Sequence, residues 1–71
     1  MEKEILRLLA QGALSPEQLA ASLATSVGDA RANLEELRQP GLVERSTITP
    51  GRWHITDAGR ARLEQLEANQ T

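Results

Sequence analysis

The sequence predicts an α+β domain that is mostly helical, with three helices, a β-hairpin and a C-terminal helix. Apolar residues recur at helical spacing in four segments. Two short β-prone runs flank a Pro-Gly turn between the third and the fourth of these segments. The length of 71 residues suits one domain. No linker, repeat or low-complexity tract divides the chain, so we expect residues 1–71 to form a single domain.

The first helix is predicted over residues 2–11. The residues on its apolar face are Ile5, Leu8 and Leu9, with Leu6 on the shoulder of that face. Gly12 follows in the position of a C′ glycine, so we expect the helix to end there.

The second helix is predicted over residues 16–24, because the sequence before it carries a strong start signal. Ser15 can cap the helix, Pro16 suits its first position, and Gln18 can close a capping box. The apolar stripe that follows consists of Leu19, Ala20 and Leu23.

The third helix is predicted over residues 27–39. Ser26 is its candidate N-cap, and Asp29 stands near the positive end of the helix dipole. Pro40-Gly41 is expected to stop the helix. Its apolar positions are Val27, Ala30, Leu34 and Leu37.

A hairpin is predicted over residues 42–55, around the turn Thr49-Pro50-Gly51. Trp53 and Ile55 are two residues apart and share one face, with His54 on the other. The last helix is predicted over residues 57–68 with Thr56 as its cap. Its apolar positions are Ala58, Leu63 and Leu66.

Two stretches of this chain, LSPEQLAASLATSVGDARANLEELRQPGLVER and RWHITDAGRARLEQL, resemble winged helix-turn-helix DNA-binding domains. The first stretch resembles their helix, turn and recognition helix, which lead through Gly-Leu-Val into a strand. The second stretch resembles the aromatic-x-aliphatic-Thr-x-x-Gly-Arg end of the wing in MarR-, PadR- and ArsR-type bacterial regulators. The resemblance runs from Glu4 to about Glu67 and does not choose a subfamily.

That resemblance implies a small transcriptional regulator that binds double-stranded DNA sequence-specifically. The helix from Ser26 would lie in the major groove, and the hairpin tip, Thr47 to Arg52, would be a wing on the phosphates or the minor groove. The first or last helix makes a dimer in many such regulators. Leu63 and Leu66 are therefore candidate homodimer contacts, or else they cover the core.

Most candidate DNA contacts lie on the third helix and follow from its helical projection, whereas Ser15 and Gln18 begin the second helix and Thr49 and Arg52 belong to the wing. With Ala30 and Leu34 facing the core, the small or acidic residues point outward, and Arg31 and Arg38 lie on one flank. Those arginines can contact bases or phosphates, or they can pair with Glu35 on a solvated edge. The candidates are Ser15, Gln18, Ser26, Gly28, Arg31, Ala32, Glu35, Arg38, Thr49 and Arg52.

The net charge leaves a second function open. Eight cationic and ten acidic residues give a formal charge of −2, whereas nucleic-acid modules are usually basic. A local basic patch is compatible with that balance. The alternative is a winged-helix protein–protein interaction module that does not bind DNA.

The composition does not favour enzymatic or membrane functions. The chain has no cysteine and one histidine, His54, so no metal site or cofactor is expected. A Ser46–His54 pair lacks a third group or an oxyanion motif, so we expect no catalysis. No apolar run suits a signal peptide or a membrane span, and we expect a cytoplasmic protein.

Overall fold

The computed structural model describes residues 1–69, which form four helices and one two-stranded antiparallel hairpin. The elements are α1 (Glu2–Gln11), α2 (Pro16–Leu23), α3 (Val27–Arg38), β1 (Val43–Arg45), β2 (Trp53–Ile55) and α4 (Asp57–Ala68). This order confirms the predicted, mostly helical α+β class. Residues 70 and 71 of the predicted domain lie outside the described part of the chain. Within residues 1–69, no helix has the length and apolar character needed to cross a bilayer.

Three helices begin at the polar caps that the sequence predicts. The side chains of Ser15, Ser26 and Thr56 each accept a hydrogen bond from the backbone N–H three residues ahead, at 3.0–3.1 Å. Gln18 also closes a capping box, since its Oε1 accepts from the N–H of Ser15 at 2.9 Å. Each such cap stabilises a helix by about 1 kcal/mol.

The helix ends differ in detail from the prediction. Gly12 ends α1 in an extended conformation, with φ 161°, and not in the left-handed one that a C′ glycine commonly adopts. α2 ends one residue early because Ala24 turns left-handed, with φ 55°. α3 also ends one residue early, and Gly41 makes the turn after it with φ 77°.

The hairpin pairs Val43 with Ile55 and Arg45 with Trp53. Trp53 and Ile55 are buried and His54 is half-buried, which confirms the predicted alternation. Trp53 also forms a bridge with Leu14, through backbone hydrogen bonds of 3.0 and 2.7 Å. The segment before α2 is therefore tied to the hairpin.

The core lies between the four helices and one face of the hairpin. Three residues differ from the prediction: Leu6 is fully buried, Leu8 is half-buried and Ala58 is exposed. Gly59 is the buried residue at the start of α4. The core residues are Ile5, Leu6, Leu9, Leu19, Ala20, Ala30, Leu34, Leu37, Val43, Trp53, Ile55 and Leu63.

Thr56 and Gly59 fasten α4 to the turn that follows α3. The hydroxyl of Thr56 donates to the carbonyl of Gly41 at 2.6 Å, and its N–H donates to the carbonyl of Leu42 at 3.1 Å. A Cβ on Gly59 would collide with that Leu42 carbonyl oxygen and would lie 2.6 Å from Cγ1 of Ile55. The Thr-x-x-Gly spacing thus has a packing role here, because both residues hold α4 against the turn between α3 and β1.

Candidate nucleic-acid interface

The exposed side of α3, the start of α2 and the hairpin border one open cleft of about 510 Å³. Its lining residues are Pro16, Glu17, Arg31, Glu35, Arg45, Ser46, Gly51, Arg52 and Trp53. Arg38 shares the carboxylate of Glu35 with Arg45. We call the charged side chains that line this cleft, together with Arg38, the α3–hairpin face: Glu17, Arg31, Glu35, Arg38, Arg45 and Arg52. Asp29, Glu36 and Glu44 are exposed on the same elements but do not line this cleft.

The α3–hairpin face is cationic although the chain is acidic. Its four arginines and two glutamates give a formal charge of +2, against −2 for the whole sequence. The remaining residues therefore sum to −4. A local positive field of this kind attracts anions even when the net charge of a protein is negative.

Glu35 lies at the centre of this face and binds two arginines. Its Oε2 accepts from Nε of Arg38 at 3.0 Å, and its Oε1 accepts from Nη2 of Arg45 at 3.2 Å. The hydrogen bond from Arg38 lowers the pKa of Glu35 most, partial desolvation opposes it, and the bond from Arg45 lowers it further. Glu35 therefore stays ionised and holds both arginines at neutral pH.

Arg31 pairs with Glu17 across the α2–α3 contact, with Nη2 3.3 Å from Oε2. Of the two sequence-based alternatives for this arginine, the intrahelical pair with Glu35 is not formed. Both partners are more than half exposed, at 64% and 60%. Exposed pairs contribute about 0–1 kcal/mol, so an incoming phosphate competes with Glu17 at little cost.

Arg52 is the last residue of a β-turn. Its N–H donates to the carbonyl of Thr49 at 3.2 Å. The two residues between them are Pro50 and Gly51, and Gly51 has a φ of 83°, which is the pattern of a type II turn. Ser46 braces the loop, because its Oγ accepts from the N–H groups of Ile48 and Thr49 at 3.2 and 3.0 Å. Within residues 1–69 no carboxylate forms an ion pair with Arg52.

The start of α2 has little spare capacity for an anion. Ser15 and Gln18, both candidate DNA contacts, are engaged in the capping box. Pro16 has no N–H, and the N–H of Leu19 donates to the carbonyl of Ser15 at 3.0 Å. In this first turn, the N–H of Glu17 is the donor for which the described chain supplies no acceptor.

The outward side of α3 near its start is small and uncharged. Gly28 and Ala32 are exposed, whereas Ala30 and Leu34 are buried, as the helical projection predicts. Ser26 is exposed too, but its hydroxyl caps the helix. Because these side chains are small, the backbone of α3 can come close to a flat or grooved partner surface at Gly28 and Ala32.

Two residues of this face, Glu17 and Arg45, are not among the predicted contacts. Arg45 lies opposite Trp53 in the hairpin, and its guanidinium lies 5.4 Å from the centre of the indole ring. The hairpin register, which places Arg45 opposite Trp53, is the feature that identifies Arg45 as part of this face. Glu17 and Arg31 are 14 positions apart, so no local spacing rule connects them.

The remaining candidate residues lie elsewhere. Leu63 belongs to the core and Leu66 is half-buried against it, so Leu66 has more surface to offer a second chain. Their role as dimer contacts stays a prediction.

His54 Nε2 lies 3.4 Å from Glu44 Oε1, and the Ser46 hydroxyl is engaged in its own loop. The described residues hold no group of three metal-ligating side chains.

Comparison of the chain with protein-family models, with curated proteins and with solved structures gives no match.

Proposed function

We propose that this protein is a winged helix-turn-helix transcriptional regulator of the bacterial type that binds double-stranded DNA sequence-specifically. In this proposal α3 enters the major groove and the β1–β2 hairpin is the wing, which contacts the backbone. The observation that carries the proposal is the +2 charge of the α3–hairpin face on a chain of net charge −2. Phosphate contacts are the main source of affinity for DNA, and they need such a surface.

The parts of the face have different roles in this proposal. Gly28 and Ala32 let α3 approach base edges, and Ala32 offers a methyl group to thymine. Arg31 lies on the same helix and exchanges Glu17 for a base or a phosphate. Arg52 and the hydroxyl of Thr49 contact the backbone from the hairpin. We expect a homodimer, because four arginines per chain give few phosphate contacts.

A salt titration of binding to a mixed-sequence duplex tests the proposal. Each neutralised phosphate contributes about −0.9 to the slope of log K against log salt, so four arginines give at most about −3.6 per chain. We expect measurable binding at low salt. In Arg52→Ala, the slope of log K against log salt should become less steep by about one unit. Arg60→Ala is the matched control, since Arg60 is an exposed arginine on α4 for which residues 1–69 supply no ion pair.

A second candidate function is a winged-helix module that binds a protein. Three of the four arginines on the α3–hairpin face are already paired with carboxylates, which favours this alternative. It predicts no duplex binding at low salt and a partner whose binding is lost in Ala32→Arg. Equal capture of that partner by wild type and Ala32→Arg contradicts the alternative.

A further inference from the structure

Two arginines from different elements converge on one carboxylate. Arg38 lies at the end of α3 and Arg45 on β1, and their Nη2 atoms lie 2.9 and 3.2 Å from the carboxylate oxygens of Glu35. All three side chains are accessible, with exposed fractions of 51%, 71% and 40%. An ion from solvent can therefore reach the same donors that Glu35 uses.

Open clefts border both arginines. Arg45 borders the cleft of about 510 Å³ that also contains Arg31 and Arg52. Arg38 and Arg45 together border a second cleft of about 300 Å³. Glu44 also lines the second cleft, and its carboxylate is 3.4 Å from His54.

The guanidinium groups suit a phosphate as well as a carboxylate. Arginine presents planar N–H donors that match the oxygens of both anions. The indole of Trp53 supports the guanidinium of Arg45 at 5.4 Å, which limits the side-chain freedom that binding would otherwise cost. Since an exposed ion pair contributes about 0–1 kcal/mol, exchange of one anion for the other is inexpensive.

We propose that Arg38 and Arg45 form a site for one phosphate group of the DNA backbone, and that the carboxylate of Glu35 fills this site when no DNA is bound. The choice of DNA as the source of the phosphate rests on the proposed function. Glu35 is then an intramolecular competitor of DNA. Its removal strengthens binding, although the same residue links α3 to β1 in the free protein.

The test compares Glu35→Gln with Glu36→Gln in binding to a mixed-sequence duplex. Both changes remove one negative charge from neighbouring positions of α3, but Glu36 is exposed and forms no ion pair among residues 1–69. We expect Glu35→Gln to bind about threefold more tightly than Glu36→Gln, with a steeper salt dependence. If the duplex binds and the two variants have equal affinity, the proposal is wrong. Weaker binding by Glu35→Gln also overturns it.

A titration with inorganic phosphate separates this proposal from the proposed function. The readout is the NMR signal of the Nε–H groups of Arg38 and Arg45 in Glu35→Gln, with that of Arg60 as the reference. We expect phosphate to shift the first two signals only. If they shift while no duplex binds, the anion site exists and DNA is not its source. If phosphate shifts neither signal and no duplex binds, both proposals fail.

Discussion

Replacing Gly59 with alanine is predicted to destabilise the protein although alanine is the better helix former. Alanine is favoured over glycine by about 1 kcal/mol in a helix interior, and this is an upper bound for Gly59, which is the third residue of α4. Here the new Cβ would collide with the Leu42 carbonyl oxygen and lie 2.6 Å from Cγ1 of Ile55. The carbonyl cannot turn away without losing the 3.1 Å hydrogen bond from the N–H of Thr56. Overpacking of this kind costs about 1–3 kcal/mol and can cost more, and the lost hydrogen bond adds about 1 kcal/mol.

The expected net loss is therefore about 2 kcal/mol, which in a domain of this size lowers Tm by about 10 °C. Gly28→Ala is the matched control, because a Cβ there meets only Oγ of Ser26, at 3.9 Å. We expect Gly28→Ala to leave stability unchanged or to raise it by up to about 1 kcal/mol. Thermal and urea unfolding followed by circular dichroism measure both variants. A Gly59→Ala variant as stable as wild type refutes the packing argument.

Three further predictions concern the cap of α4, the pH dependence of stability and association. Thr56→Val removes the cap to Gly59 and the hydrogen bond to Gly41. We expect it to lower the free energy of unfolding, measured in urea, by about 1–2 kcal/mol. Ser22→Ala, at an exposed site, is the control and should change that free energy little. Because the pKa of Glu35 is lowered in the folded chain, its contribution to stability is present above the ordinary glutamate pKa and is lost as pH falls through the lowered value. The stability of Glu35→Gln therefore falls less steeply with acidification than that of wild type, and parallel curves contradict this. If Leu66 is a dimer contact, Leu66→Glu lowers the mass found by sedimentation equilibrium, and a wild type that stays monomeric at high concentration excludes the dimer.

The helices follow from local chemistry, which explains why the sequence predicts them closely. Ser15, Ser26 and Thr56 are caps in the structure because their hydroxyls need only the N–H three residues ahead. The left-handed Ala24 has no comparable signal, since glycine is the usual residue at that conformation. The burial of Leu6 and the exposure of Ala58 depend on how the helices dock, which periodicity alone does not specify.

The charge pairs of the α3–hairpin face depend on tertiary packing, so the sequence indicates them less well. The Arg38–Glu35 pair is local, at i and i+3, and it follows from the helical projection. The Arg31–Glu17 and Arg45–Glu35 pairs join different elements and require the α2–α3 packing and the hairpin position. The sequence thus indicates which arginines lie near α3 and which carboxylate holds Arg38, but not which carboxylates hold Arg31 and Arg45.

An NMR titration of the labelled protein with a duplex at low salt is the sharpest test of the proposal that the α3–hairpin face binds duplex DNA. We predict the largest shifts at the backbone N–H groups of Gly28 and Ala32 and at the Nε–H groups of Arg31 and Arg52. These shifts are expected to disappear at high salt. Signals of the α1–α4 side, such as Nε–H of Arg7 and Arg62, are predicted to stay in place, because these arginines lie on helices that are not part of the α3–hairpin face. A spectrum unchanged by the duplex, or shifts confined to the α1–α4 side, would contradict the account.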